Sequence, residues 1–166
     1  MKNYLLIFFL CLIFNKALSI ETKIIHQIQN EIITNIDIKN EFKYLLSLNN
    51  SLKNIEKEKI LAISNESIIR EKIKKIEISK NFKKIKINDE YLNLLLKNTY
   101  SRLNLKSLKE FELYLKNYDL DLEEVEKKIT IDALWNELII KKYKSKININ
   151  EAKIKKEILK NSKIQL

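Results

Sequence analysis

The chain has 166 residues with no glycine, no proline and one cysteine, and its formal charge is +10. All-β folds depend on glycine and proline for their turns, so this composition argues against them and for helices joined by Asn and Ser turns. Only Arg70 and Arg102 could make forked contacts to phosphate or base edges, and no nucleic-acid motif is present. The positive balance is therefore read as a general field that favours acidic partners or anionic lipid, with no nucleic-acid role.

Lys2 precedes an uncharged apolar run from Tyr4 to Phe14, which Asn15 and Lys16 end. Ala17-Leu18-Ser19 then places small residues where a signal peptidase inspects the chain. The run is about half of the roughly 20 residues a spanning helix needs. Residues 1–19 are accordingly read as a cleavable secretory signal, with no stable membrane span after cleavage. Phe8-Phe9-Leu10 is too bulky in front of Cys11 for a lipoprotein site. Cleavage after Ser19 removes Cys11, the only cysteine, and leaves 147 residues with a formal charge of +8. No disulfide or thiol chemistry is then available. Residues 20–166 are long enough for one domain that buries roughly two-thirds of its unfolded surface.

Lys23 to Ile28 and Glu31 to Thr34 read as a short hairpin of β-branched runs around a polar break. Its turn carries Asn30 but lacks the glycine that two-residue turns prefer. Thr34 and Asp37 have the capping-box spacing, which opens a first helix from about Asn35 to Leu48 with Ile38, Phe42, Leu45 and Leu46 on one face. Asn49-Asn50-Ser51 breaks the chain. A second helix is expected from about Ile55 to Phe82, with an isoleucine stripe running from Ile60 to Ile78. Its other face alternates Glu56, Lys57, Glu58 and Lys59 with Glu71, Lys72, Lys74 and Lys75, and reads as a solvated face with weak ion pairs.

Asn88 caps a third helix, Asp89 to about Arg102, whose acidic first turn suits the helix dipole. Ser107 with Glu110 opens a fourth helix to about Asn117, and Asp121 with Glu124 opens a fifth to about Lys144. A last, marginal helix runs from Glu151 to about Lys160. In the fifth helix, Leu122, Val125 and Ile129 share a face, and Ala133, Ile140 and Tyr143 stay near it. Ile131, Leu134, Trp135 and Leu138 point roughly the opposite way. A helix apolar on two sides is expected to be buried centrally; the alternative is that one side is offered to a partner. The fold class is thus mainly α, about six helices behind a small N-terminal β-hairpin.

The order of elements resembles the N-terminal domain of SurA-type periplasmic chaperones and peptidyl-prolyl isomerases. The residues that carry the likeness are the opening Asn30-Glu31-Ile32-Ile33-Thr34-Asn35-Ile36-Asp37-Ile38 and the middle stretch Ile87-Asn88-Asp89-Glu90-Tyr91-Leu92. The spacing through Leu105–Phe111, Tyr118–Asp121 and Leu138–Ile140 to Ile147–Asn150 continues it. Where the family's hairpin turn has Asn-Asn-Gly, Glu31 replaces the glycine. The resemblance implies an ATP-independent holdase that binds unfolded outer-membrane proteins or other exported polypeptides in the periplasm. It also implies an isomerase domain further on; the sequence reaches Leu166 about where that domain would begin, and its paired histidines are absent here, since His26 is the only histidine. The alternatives are the front half of a foldase, or a helical adaptor for one folded partner.

The residues themselves offer apolar helical surface and no catalytic constellation. His26 reads as a strand side chain, and Glu123, Glu124 and Glu126 suit a helix N-terminus. No catalytic, cofactor or metal residue is assigned and no cofactor is expected. The candidate client contacts are Trp135, Leu138, Tyr114 and Tyr118. For each of them singly, ordinary core packing is the favoured reading.

Overall fold

Thr34 shows how the chain turns from strand to helix. Its hydroxyl accepts the Asp37 amide at 3.2 Å, and the Asp37 carboxylate accepts the Thr34 amide at 2.7 Å. This reciprocal box starts the first helix at the residue the sequence marks. A computed structural model describes residues 21–146 and, beyond them, 154–156 and 158. The leader read at residues 1–19 lies outside the described residues. So does most of the last helix expected from Glu151, although 154–156 and 158 are helical.

Strands β1 (Ile24–Ile28) and β2 (Glu31–Thr34) form an antiparallel hairpin. Five α-helices follow among the described residues: α1 (Asn35–Leu48), α2 (Lys57–Asn81), α3 (Asp89–Arg102), α4 (Leu108–Lys116) and α5 (Leu122–Tyr143). Short 3-10 segments occupy Asn50–Asn54 and Lys144–Lys146. The fold is mainly helical with a small hairpin in front, as expected from composition and caps. Two expected boxes differ in detail. Ser107 accepts the Glu110 amide at 3.2 Å, but the Glu110 carboxylate reaches one residue further back, to the Lys106 amide at 2.8 Å. Asp121 makes no side-chain cap bond at all.

A chain without glycine must still end its helices. After α3, Asn104 adopts φ 61°, and the Asn104 and Leu105 amides bond the Ser101 and Tyr100 carbonyls. After α4, Asp119 adopts φ 52°, and the Asp119 and Leu120 amides bond Lys116 and Leu115. Both are Schellman closures, with Asn and Asp in the left-handed position glycine usually takes. The hairpin solves the same problem with Gln29 at φ 53°, one residue before the Asn30 that the sequence suggests.

The five helices surround two apolar clusters. Leu96, Phe111, Leu115, Leu120 and Val125 form the first, joining α3, α4 and the start of α5. Ile78, Ile131 and Leu134 form the second, joining α2 to the later half of α5, with Phe82, Ile87 and Trp135 against it. Between these stretches of α5 stands Lys128. Its ammonium bonds Glu41 of α1 at 2.6 Å and also Glu71 of α2, and lies 4.9 Å from the centre of the Tyr44 ring. Glu41 is only 2% exposed. Burial alone would pull the Lys128 ammonium down, but the Glu41 and Glu71 charges outweigh it and hold it above its ordinary range. Burial, helped by the charges of Asp132, Glu41 and Glu71, pushes the Tyr44 hydroxyl up and keeps it neutral.

The solvated face expected on α2 is therefore only half right. Glu56 and Lys59 do pair in solvent. Glu71, Lys72, Lys74 and Lys75 instead hold other elements: Lys72 and Lys75 grip Glu31 of the hairpin at 3.1 and 2.8 Å, and Lys74 reaches Asp132 of α5 at 2.6 Å. Glu31 is thus the hairpin's anchor on α2.

Lys128→Ala leaves Glu41 buried beside Glu71 without a counter-charge and should cost about 3–5 kcal/mol by urea unfolding. Replacing the cluster together, as Glu41→Leu, Glu71→Met and Lys128→Met, should recover most of that loss. The Lys75 hydrogen bond lowers the Glu31 carboxyl below its ordinary 4.5; it outweighs partial desolvation, and Lys72 adds to it. A depressed folded value means stability that is present above the ordinary value and lost as pH falls through the lowered one. The stability gap between the native chain and Glu31→Gln should accordingly be full at neutral pH and close as the solution is acidified below 4.5.

Candidate functional site

The later half of α5 carries apolar residues on two sides, and the fold leaves those at its end uncovered. Ile131, Leu134 and Leu138 are buried towards α2. Ile140 and Tyr143 stay 61% and 39% exposed. The central burial expected for this segment is met only in part: α2 packs against Ile131 and Leu134 and α3 lies along Ile129 and Ala133, while the end of α5 keeps Ile140 and Tyr143 exposed.

A groove of about 570 Å³ lies between this segment, the α2–α3 connection and the start of α3. Its apolar lining is Phe82, Ile87, Tyr91, Ala133, Leu134 and Ile140. A second groove of about 430 Å³ flanks the opposite side, against the end of α2, lined by Trp135, Leu138, Ile139 and Tyr143 with Glu77 and Asn81. Asn88, which caps α3 through the Glu90 amide at 2.7 Å, sits on the wall of the first groove. The same local signal that starts α3 therefore positions Tyr91 there, one turn further on.

The four residues singled out from sequence separate into two pairs. Trp135 and Leu138 share the second groove, Trp135 half-buried and Leu138 7% exposed in its floor. Tyr114 and Tyr118 belong to the other cluster, around Phe111. Their rings lie 5.3 Å apart at 51°, and Tyr114 donates to the Ser47 carbonyl at 2.7 Å, tying α4 to the end of α1. Lys53 stands 5.9 Å from the Tyr118 ring centre. Ile140, Tyr143, Tyr91 and Phe82 complete the grooves and escaped the sequence reading. The two-sided pattern of α5 was the available signal for Ile140 and Tyr143. For Phe82 and Tyr91 there was none, because their role depends on α5 packing beside them.

A second apolar exposure lies on the hairpin, where Ile24, Ile25 and Ile32 face outward while Ile33 is fully buried. His26 lies on β1 and its Nε2 is 2.9 Å from the Asn65 side-chain oxygen of α2. Among the described residues, no group of three or more His, Cys, Asp or Glu is placed to hold a metal ion. Among the same residues, no helix is long and apolar enough to cross a membrane.

Burial separates groove residues that the fold needs from those it does not. Leu138→Ala should destabilise by about 2–5 kcal/mol in denaturant, as other buried leucine truncations do. Ile140→Ala should stay within about 0.5 kcal/mol of the native chain, which makes it the cleaner probe of binding.

Comparison of the chain with protein-family models, with curated proteins and with solved structures finds no match.

Proposed function

We propose that this domain is an ATP-independent holdase that keeps unfolded exported polypeptides, outer-membrane proteins among them, from aggregating. The observation that carries the reading is the exposed pair Ile140 and Tyr143, standing between two grooves with apolar linings. Unfolded chains expose aromatic and β-branched residues. Each Å² of apolar surface removed from water contributes roughly 25 cal/mol before ordering costs, without nucleotide and without sequence readout.

The leader pattern at residues 1–19 supports a periplasmic site of action, and the sequence resemblance to SurA-type N-terminal domains supports the client class. The domain acts in this reading by binding alone. Its clients are extended segments, because the grooves run along a helix and are open at the surface.

The test uses the chain from Ile20 and an outer-membrane β-barrel protein diluted out of urea, with aggregation followed by light scattering. Suppression is expected near equimolar ratios and should weaken several-fold in Ile140→Ser with Tyr143→Ser, whose unfolding free energy should match the native chain within about 1 kcal/mol. Trp135, the only tryptophan, should report client binding by a shift in its emission. Undiminished aggregation at equimolar domain would reject the proposal.

A further inference from the structure

The charge of the domain is not spread evenly. Residues 21–146 carry 25 Lys and Arg against 20 Asp and Glu, a net +5. The segments that build the two grooves, residues 77–91 and 133–146, hold eight lysines and only four acids, Glu77, Asp89, Glu90 and Glu137. The groove end therefore carries +4 of the +5, and the remainder of the body is almost neutral. All eight lysines are exposed. Lys80 pairs with Glu77 and Lys86 with Asp89. The other six, four of them at residues 141–146, make no ion pair among the described residues.

Away from the groove segments, five of the fifteen described lysines pair across the fold, four pair locally and six make no ion pair. Lys72, Lys74, Lys75 and Lys128 all reach carboxylates on other elements. Unpaired lysines are thus six of eight in the groove segments against six of fifteen elsewhere, an enrichment at the rim. Lys142 and Lys146 lie 5.9 and 5.5 Å from the Tyr143 ring centre, so cationic and apolar groups interleave at one edge.

We infer that the grooves select polypeptide segments in which apolar residues are flanked by Asp and Glu. The inference rests on the holding role proposed above and names its client class. Apolar side chains of the segment fill the grooves, while its carboxylates meet the lysine rim within a Debye length. A flat anionic lipid surface would satisfy the rim but not the groove floors at Leu134 and Leu138, which only a projecting side chain reaches.

Three dye-labelled peptides with identical apolar residues and spacers of Asp and Glu, of Ser and Asn, or of Lys and Arg would be titrated with the chain from Ile20 and read by anisotropy. The acidic peptide should bind at least about tenfold more tightly than the basic one at low salt, and the gap should close at about 0.5 M salt. Lys84→Glu with Lys141→Glu and Lys144→Glu should erase or invert the preference. Lys39→Glu with Lys57→Glu and Lys59→Glu, an equal change of net charge away from the grooves, should leave it. Circular dichroism would show that both variants are folded. Equal affinity for acidic and basic peptides overturns the inference while the neutral peptide's binding upholds the holding role. Equal losses in both lysine sets overturn it in favour of overall charge. Binding to phosphatidylglycerol vesicles without peptide preference overturns it in favour of a membrane surface. Failure of all three peptides, together with undiminished aggregation of the unfolded barrel protein, removes the holding role and the inference with it.

Discussion

One ammonium group holds three helices in register. Lys128 of α5 lies between Glu41 of α1 and Glu71 of α2, with the Tyr44 ring beside it. A buried carboxylate such as Glu41 is tolerated only with a paired and hydrogen-bonded partner. Lys128 is the cation that meets both carboxylates, so the cluster favours the rotation of α5 that turns this side to α1 and α2. That choice in turn sends Ile131, Leu134 and Leu138 inward and leaves Ile140 and Tyr143 outside. The exposed groove end is thus a consequence of a polar contact three turns away. Pairs of this kind add little net stability over an apolar core, and their contribution here is to orientation.

The same logic runs through the hairpin. Two strands of five and four residues cannot bury a core of their own. They are held by Ile33, by Glu31 between Lys72 and Lys75, and by the Asn35 side chain, which bonds Lys23 and Glu21 backbone atoms. Lys43, Lys72, Lys74, Lys75 and Lys128 act in this way, as bolts between elements. At the grooves a larger share of the described lysines is left without a carboxylate, six of eight against six of fifteen elsewhere, and that enrichment is what gives the rim its meaning.

What the sequence disclosed follows from the range of each interaction. Caps act within four residues, so Thr34 with Asp37, Asn88 and Ser107 mark helix starts without knowledge of the fold. Stripes of isoleucine and leucine disclosed that faces are apolar but not which neighbour covers them, and α5 was placed too centrally for that reason. Alternating Glu and Lys on α2 looks identical whether the charges meet water or a distant helix. Glu71 and Lys72 find partners 57 and 41 residues away, which no local pattern encodes. Tyr114 and Tyr118 were marked by residue type alone, and the bond from Tyr114 to the end of α1 is a packing role that no local pattern encodes. Asn104 and Asp119 could have been read as closures, since each is followed by a leucine that packs back on the helix it ends.

The distance along the chain between Glu41 and Lys128, 87 residues, also sets an order of events. Any nascent or translocating polypeptide presents α1 and α2 long before α5. Until α5 emerges, Glu41 has no cation to accompany it out of water, and hydration of that carboxylate opposes premature closure of the first two helices. The contact that joins α1, α2 and α5 is thus completed by the last of these helices in chain order.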